Sequence, residues 1–527
     1  MEERQTSHKP EAADLILWNA TVLTMDPARP RAEAVGVKQG RVLWVGTNQR
    51  AQQHHTRATK VIDCQGRTIV PGFVDAHCHF RAFAESFSDC CFTPKEVRSL
   101  SDIRDRIQRF SREVAHGEWI TAGKYDEFYL DEKDHPTRWD LDKATSTHPV
   151  RLIHRSGHAH VLNSLAMERV GISTQTPEPP GALIERDLSE GEPNGILYEM
   201  GPFISRHIPP KHDKDRQRGA RLANEEMLSR GITSIQDASS QNNLQQWRLF
   251  RRWQESGDLA LRVHMMLGLE AFDRFQRDDL AEALDHDPIS ISGVKIILSD
   301  ITGRLHPPQR ELNELVFQIH KARFQAVIHA IDERSIEAAS TAVEYALEKS
   351  PRPDHRHRIE HCAVCPPPLL RRLASLGIMV VTQPSFIYYN GERYIRTVPD
   401  REFRHLYPFA SLIKNGVEVA GSSDCPIWPP NPLIGIYSAV SRMSQSGEPV
   451  LAGEGIRPEE AIRMHTHYGA KACFQEAVKG SVMVGKAADM VVLSDDPTTV
   501  APEEITNIHV DMTLVGGDVV WEREVRQ

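Results

Sequence analysis

Eight short runs rich in β-branched and apolar residues recur through the middle of the chain, most of them followed by a stretch of helical periodicity. They are Thr68 to His77, Gly231 to Gln236, Arg262 to Leu267, Gly293 to Ile297, Ala326 to His329, Arg358 to His361, Ile378 to Gln383 and Val417 to Asp424. Arg310 to Arg323 and Glu333 to Lys349 are two of the helical stretches between them. Apolar runs separated by helices are what parallel strands covered on both faces require. Eight strand–helix units close on themselves, so the expected fold class is α/β, a (β/α)8 barrel.

One connection breaks the pattern: roughly 150 residues separate the first run from the second, far beyond an ordinary loop. An inserted α+β subdomain is expected at about residues 81–225. Within it Trp119 to Lys124 and Pro149 to His154 read as strands, Thr176 to Gly181 as a Pro-rich loop, and Ser101 to Ala115 as an amphipathic helix capped by Ser101. Both chain ends have a different texture, with strand-like alternation in Asp14 to Thr24, Ala34 to Val45 and Val61 to Ile69, and again in Ala488 to Leu493, Ile508 to Leu514 and Asp518 to Trp521. Isolated sheets of two or three strands are marginal, so the two ends are expected to share one small β-sandwich. The expected division is 1–70 and 480–527 for the sandwich and 71–479 for the barrel with its insert.

Composition narrows the function classes. The net charge of −9 over 527 residues is dispersed, with no basic stripe to follow a phosphate backbone, which argues against nucleic acid. No run approaches the ~18 apolar residues of a membrane span, and Met1 to Pro10 lacks the apolar centre of a signal peptide. The eight cysteines are scattered and read as reduced thiols. A cytoplasmic protein acting on a small molecule is expected, with a homodimer as the default assembly.

The chemistry concentrates at the ends of the predicted strands. In Pro71-Gly72-Phe73-Val74-Asp75-Ala76-His77-Cys78-His79 the two histidines stand at i and i+2 on an extended chain, so both imidazoles face one side and can reach one ion. His329 closes VIHA, His361 closes RIEH, and Asp424 follows Gly421-Ser422-Ser423. Strand ends of a barrel form one ring, which would gather these residues. Lys295, in the apolar run Gly293-Val294-Lys295-Ile296-Ile297, must lose its charge or find a partner. A neutral lysine can add carbon dioxide to give a carbamate able to bridge two cations.

This combination resembles the amidohydrolase superfamily, and more narrowly its YtcJ-like branch, which includes N-substituted formamide deformylases. The resemblance runs along nearly the whole chain, through PGFVDAHCH, Gly117 to Glu127, His135 to Asp142, Gly157 to Ser164, GITSIQDA, GVKI, VIHAIDER, RIEHC, TQPSF, GSSDCPIWPPNPL and GKAADMVVL. It implies that His77, His79 and Asp424 hold a buried metal, that His329 and His361 hold a second, and that Lys295 bridges them as its carbamate. It also implies metal-activated hydroxide attack on the carbonyl of a carbon–nitrogen bond, with Asp424 moving the proton. Zinc is expected from this ligand set, which also accepts iron, manganese or cobalt.

Other residues carry weaker signals. His158, His160 and Asn163 match a family segment, and His158 is a candidate for contacting substrate or else part of a structural loop. Tyr388, Tyr389 and Trp428 follow the seventh and eighth strands, where they line a substrate pocket or simply pack. Asp237 reads as a partner of a metal-bound histidine or as a helix cap. Cys362 and Cys365 have CxxC spacing without a second pair. Two alternatives stand beside the binuclear amide hydrolase: a mononuclear aminohydrolase with His361 in acid–base chemistry, and a scaffold without catalysis.

Overall fold

The computed structural model describes residues 11–93, 96–277 and 289–524; Met1 to Pro10, read above as a polar start, lie outside them. Eight parallel strands form one sheet in strict sequence order: β1 (Phe73–Cys78), β2 (Ile232–Asp237), β3 (Arg262–Gly268), β4 (Ile289–Ile297), β5 (Gln325–Ala330), β6 (Arg358–His361), β7 (Met379–Thr382) and β8 (Val419–Gly421). The seam between first and last strands is bridged just beyond β8, where the Asp424 amide donates to the His77 carbonyl at 2.9 Å. This is the expected (β/α)8 barrel. Outer helices such as Gln309–Lys321, Glu333–Lys349 and Pro367–Leu376 bury one apolar stripe each against it, through Leu312, Val316 and Ile319 in the first of these.

The first predicted run, Thr68 to His77, is divided by the structure. Thr68–Pro71 pairs in a different sheet, and β1 begins only at Phe73. Gly72 makes the break, since a Cβ there would stand 2.2 Å from Thr233 Oγ1 on the neighbouring β2. Asp14 to Thr24 divides likewise at Asn19, whose φ of 54° turns the chain between Leu15–Trp18 and Thr21–Leu23 in separate sheets. A six-stranded sheet sets Thr68–Pro71 antiparallel to Met490–Leu493, with Met490 opposite Pro71. A four-stranded sheet of Arg41–Gly46, Ala34–Lys38, Leu15–Trp18 and Lys60–Asp63 packs against it through Leu17, Val35, Ile69, Met490, Val492 and Leu514.

Between β1 and β2 lies a third, mixed sheet with the order Leu183–Arg186, Pro193–Tyr198, Ala159–Leu162, Val150–His154, Ile120–Tyr125 and Cys90–Cys91. Its helix is Leu100–Phe110, capped by Ser99 rather than by Ser101, because Ser99 Oγ accepts from the Asp102 amide while the Asp102 side chain reaches back to the Ser99 amide.

Candidate metal centre

All six residues singled out as ligands lie at the C-terminal ends of barrel strands. His77 is near the end of β1 and His79 directly follows it, Lys295 is near the end of β4, His329 near the end of β5, His361 closes β6, and Asp424 follows β8. His77 Nε2 and His79 Nε2 lie 3.5 and 3.2 Å from the same atom, Asp424 Oδ1. The His361 ring continues the group, 5.2 Å from the His77 ring and 4.4 Å from the His329 ring between centroids.

The imidazoles are oriented by their outer nitrogens. His77 Nδ1 is tied to the Glu360 carboxylate, His361 Nδ1 to Gln383 Oε1 at 2.8 Å, and His79 Nδ1 to Ser239 Oγ at 3.1 Å. A carboxylate or amide oxygen on Nδ1 selects the Nδ1–H tautomer and leaves the Nε2 lone pair free to ligate. Burial pushes His77 and His329 well below the ordinary histidine range and His361 down to about 4, so all three stand neutral. Burial alone would raise Asp424, but the hydrogen bond from His79, together with neighbouring positive charge such as that of Lys295, outweighs it and holds the carboxyl below its usual value.

Lys295 is 2% exposed, and its Nζ has no hydrogen-bond partner among the described residues. Burial brings its ammonium down to about 8 against the opposing pull of Glu360 and Asp424. An orphaned buried amine beside an array of free imidazole lone pairs and a carboxylate fits a site built to hold a cation. The backbone is also strained here: His361, Cys362 and Asp424 have φ of 72°, 50° and 57°, conformations costing on the order of 1–3 kcal/mol each in a non-glycine residue.

Sequence reasoning missed the outer partners. Glu360 and Arg358 form a buried ion pair, Arg358 Nε to Glu360 Oε1 at 2.7 Å, and the signal was there in an Arg-x-Glu within an otherwise apolar strand. Neither weaker reading of Asp237 as a histidine partner or as cap of the following helix holds, because its oxygens accept from the amides of Phe80 and Ser239 and from Asn242 Nδ2. Of the three candidates in the insert, Asn163 caps the helix Ser164–Val170, His160 is buried beside Arg151, and only His158 reaches the histidine array, 5.4 Å from the His329 ring. Glu199 Oε1 lies 2.8 Å from His158 Nδ1. Tyr389 stacks on Trp428 at 4.4 Å and 10°, while Tyr388 packs edge-on against Tyr389 and Tyr437. Cys362 and Cys365 are buried free thiols.

The histidines and the carboxylate that converge at the C-terminal strand ends of this barrel form a group that could hold a metal ion. The model of the amidohydrolase family matches residues 60–521. An N-substituted formamide deformylase of Arthrobacter pascens is 30% identical over 97% of this chain and 98% of its own, and YtcJ of Bacillus subtilis (strain 168) is 27% identical over 96% and 99%. Among solved structures, an uncharacterized metal-dependent hydrolase from Pyrococcus horikoshii OT3 has the same fold, with a TM-score of 0.74 at 21% identity over 93% of this chain and 99% of that one. The chain belongs to the amidohydrolase family and is a hydrolase of carbon–nitrogen bonds. Among the described residues no helix is long and apolar enough to cross a membrane.

Proposed function

We propose that the protein hydrolyses the amide bond of an N-substituted formamide or related N-acyl amine at a centre of two divalent cations, zinc by preference. The observation that carries this reading is the convergence of His77 Nε2 and His79 Nε2 on Asp424 Oδ1 while their Nδ1 atoms are held by Glu360 and Ser239. In this reading His77, His79 and Asp424 would hold one cation and His329 and His361 the other, and Lys295, as its free amine, would add carbon dioxide with release of one proton to give a carbamate ligand. Cations held by these residues would supply a water of lowered pKa and polarisation of the substrate carbonyl. Asp424 takes the proton of the attacking water and delivers it to the departing amine. His158, oriented by Glu199, faces the carbonyl carbon's substituents, and Tyr388 and Trp428 form the wall beside the amine substituent. The 30% identity to a deformylase supports the substrate class, and the buried free thiols support a reducing, cytoplasmic setting.

Elemental analysis of the purified full-length protein, intact mass under non-denaturing conditions and turnover of a panel of N-formyl and N-acyl amines test the proposal together. Two metals per chain, a carbon dioxide adduct and release of free amine are expected. One metal without the adduct would replace the binuclear reading with the aminohydrolase, and an inert, metal-loaded protein on the whole panel would overturn the substrate class.

A further inference from the structure

Asp126 sits where the inserted sheet meets the barrel mouth, at the end of the strand Ile120–Tyr125, and its side chain is completely buried. Two guanidiniums clamp it. Arg155 Nε, from the insert, lies 2.7 Å from Oδ2, and Arg393 Nη1, from the helix Ser385–Thr397 after β7, lies 3.1 Å from Oδ1. Arg393 also holds the neighbouring Glu127 at 2.9 Å, and Glu127 in turn takes His154 Nε2 at 2.8 Å. The acidic pair with His154 has the spacing of a cation site, but both carboxylates already face guanidiniums, so the cluster is an ion-pair network.

The clamp continues into the barrel loops. The Arg155 guanidinium lies over the Trp428 ring, 5.4 Å from its centroid, and the indole stacks on Tyr389. Tyr389 and Arg393 stand four residues apart on one helix, so the contacts close a ring: Arg393, Asp126, Arg155, Trp428, Tyr389 and back along a helical turn. Trp428 follows Asp424 by four residues, in a turn where the Ile427 amide donates to the Asp424 carbonyl at 2.9 Å. At Gly157 a Cβ would stand 3.3 Å from Ile427 Cδ1, so the insert's turn lies directly on this loop. That turn runs from Arg155 to His158. It is fixed at one end by Asp126 and at the other by Glu199.

We propose that Asp126 is a positioning residue for the reaction: through Arg155 and Arg393 it docks the turn Arg155 to His158 on the loop Asp424 to Trp428, setting His158 and Trp428 at a fixed distance from the reacting atoms. This rests on the reading above that His158 and Trp428 border the substrate. Without the clamp the insert's turn is held to the barrel loop only by the Arg155–Trp428 and Gly157–Ile427 contacts, neither of which carries an ion pair. A displacement of about 1 Å at such residues costs on the order of 100-fold in rate.

The test uses Arg393→Gln, Arg393→Lys and Asp126→Asn in the full-length, metal-loaded protein. Arg393 variants are included because Asp126→Asn leaves the buried Arg155 guanidinium without its counter-charge, whereas Arg393 is partly exposed. For Arg393→Gln we expect kcat/KM on the best N-formyl or N-acyl amine to fall on the order of 100-fold, mostly through kcat, with metal content unchanged, and Arg393→Lys to recover most of it. Peptide-level hydrogen exchange should accelerate in 155–158 and in 424–428 together. Exchange that changes in only one of the two segments, or kcat/KM within about threefold of wild type, would overturn the proposal. If the wild type turns over nothing on the panel, the substrate reading fails, and the paired exchange response still decides the clamp.

Discussion

Glu360 stands one residue before His361, yet its carboxylate reaches Nδ1 of His77 on the opposite side of the seam, while its other oxygen holds Arg358 Nε at 2.7 Å. Consecutive residues of a strand point to opposite faces, and only the left-handed turn at His361, with φ 72°, lets both serve one site. Glu360 therefore sets the His77 tautomer and the barrel-floor arginine at once.

Glu360→Gln keeps the shape and an acceptor oxygen but removes the charge. Loss of such an outer partner weakens metal binding by 10–100-fold in characterised sites. Competition with a chelator should show a shift of about that size. An affinity within twofold of wild type would mean that Glu360 serves Arg358 alone.

Asp424→Asn removes the proton acceptor while preserving the oxygen that faces His77 and His79. A general base contributes on the order of 10²–10⁴-fold, so kcat should drop by that factor with most of the metal retained. Near-normal turnover of any amide would end the assignment of Asp424 as the proton carrier.

Lys295, held at about 8 by burial, is mostly an ammonium at neutral pH in the metal-free protein and mostly a free amine above pH ~9. Only the amine adds carbon dioxide. Reconstitution of the metal-free protein with zinc and bicarbonate should thus proceed faster at pH 9 than at pH 7, and Lys295→Ala should lose at least one metal. Added short-chain carboxylate should restore part of the activity of Lys295→Ala; reconstitution that ignores pH and bicarbonate would exclude the carbamate.

Three buried histidines at the far end of the barrel are locked neutral by their neighbours. His357 Nδ1 accepts from the Ala326 amide at 2.9 Å and its Nε2 meets His320 Nδ1 at 2.8 Å, while His320 Nε2 donates to the Ser350 carbonyl at 2.7 Å. His355 Nδ1 accepts from the His357 amide, and its Nε2 donates to the Leu376 carbonyl, both at 2.8 Å. Burial holds all three below the ordinary histidine value, His357 furthest. The sign follows: the folded pKa lies below the unfolded ~6.5, so the stabilisation is complete above that pH and is lost as the pH falls below it, at about 1.4 kcal/mol per pH unit for each extra proton the unfolded chain binds. Urea midpoints of the metal-free protein should decline from pH 7.5 to 5.5, and less steeply for His357→Asn, which keeps the acceptor for Ala326. An unchanged slope would move the acid sensitivity elsewhere.

The barrel was legible because its signal is repeated: β-branched runs such as VKII and AVIH recur at crossover spacing, and several carry a residue type out of keeping with an apolar strand, as Lys295 and His329 do. In the long interval after the first strand, the strands at Ile120–Tyr125 and Val150–His154 were legible to within one residue. What failed did so for tertiary reasons. Gly72 and Asn19 send continuous apolar runs into two different sheets, and nothing local distinguishes Thr68–Pro71 from Phe73–Cys78 except a glycine beside Thr233. The reach of Asp102 back to Ser99 is what moves the cap two residues before Ser101. Glu199, Gln383 and Arg393 become meaningful only when the fold lays them against His158, His361 and Asp126, and their spacing in sequence carries no hint of it.

Thr68–Pro71 completes its sheet only against Met490–Leu493. On the ribosome that partner emerges roughly 400 residues later, an interval on the order of tens of seconds at ordinary elongation rates. For all that time the early strand, with Ile69 and Val70 destined for full burial, presents an unsatisfied edge beside a growing barrel. Synthesis of this enzyme therefore carries a vulnerable window that ends when its final strands arrive to seal the first.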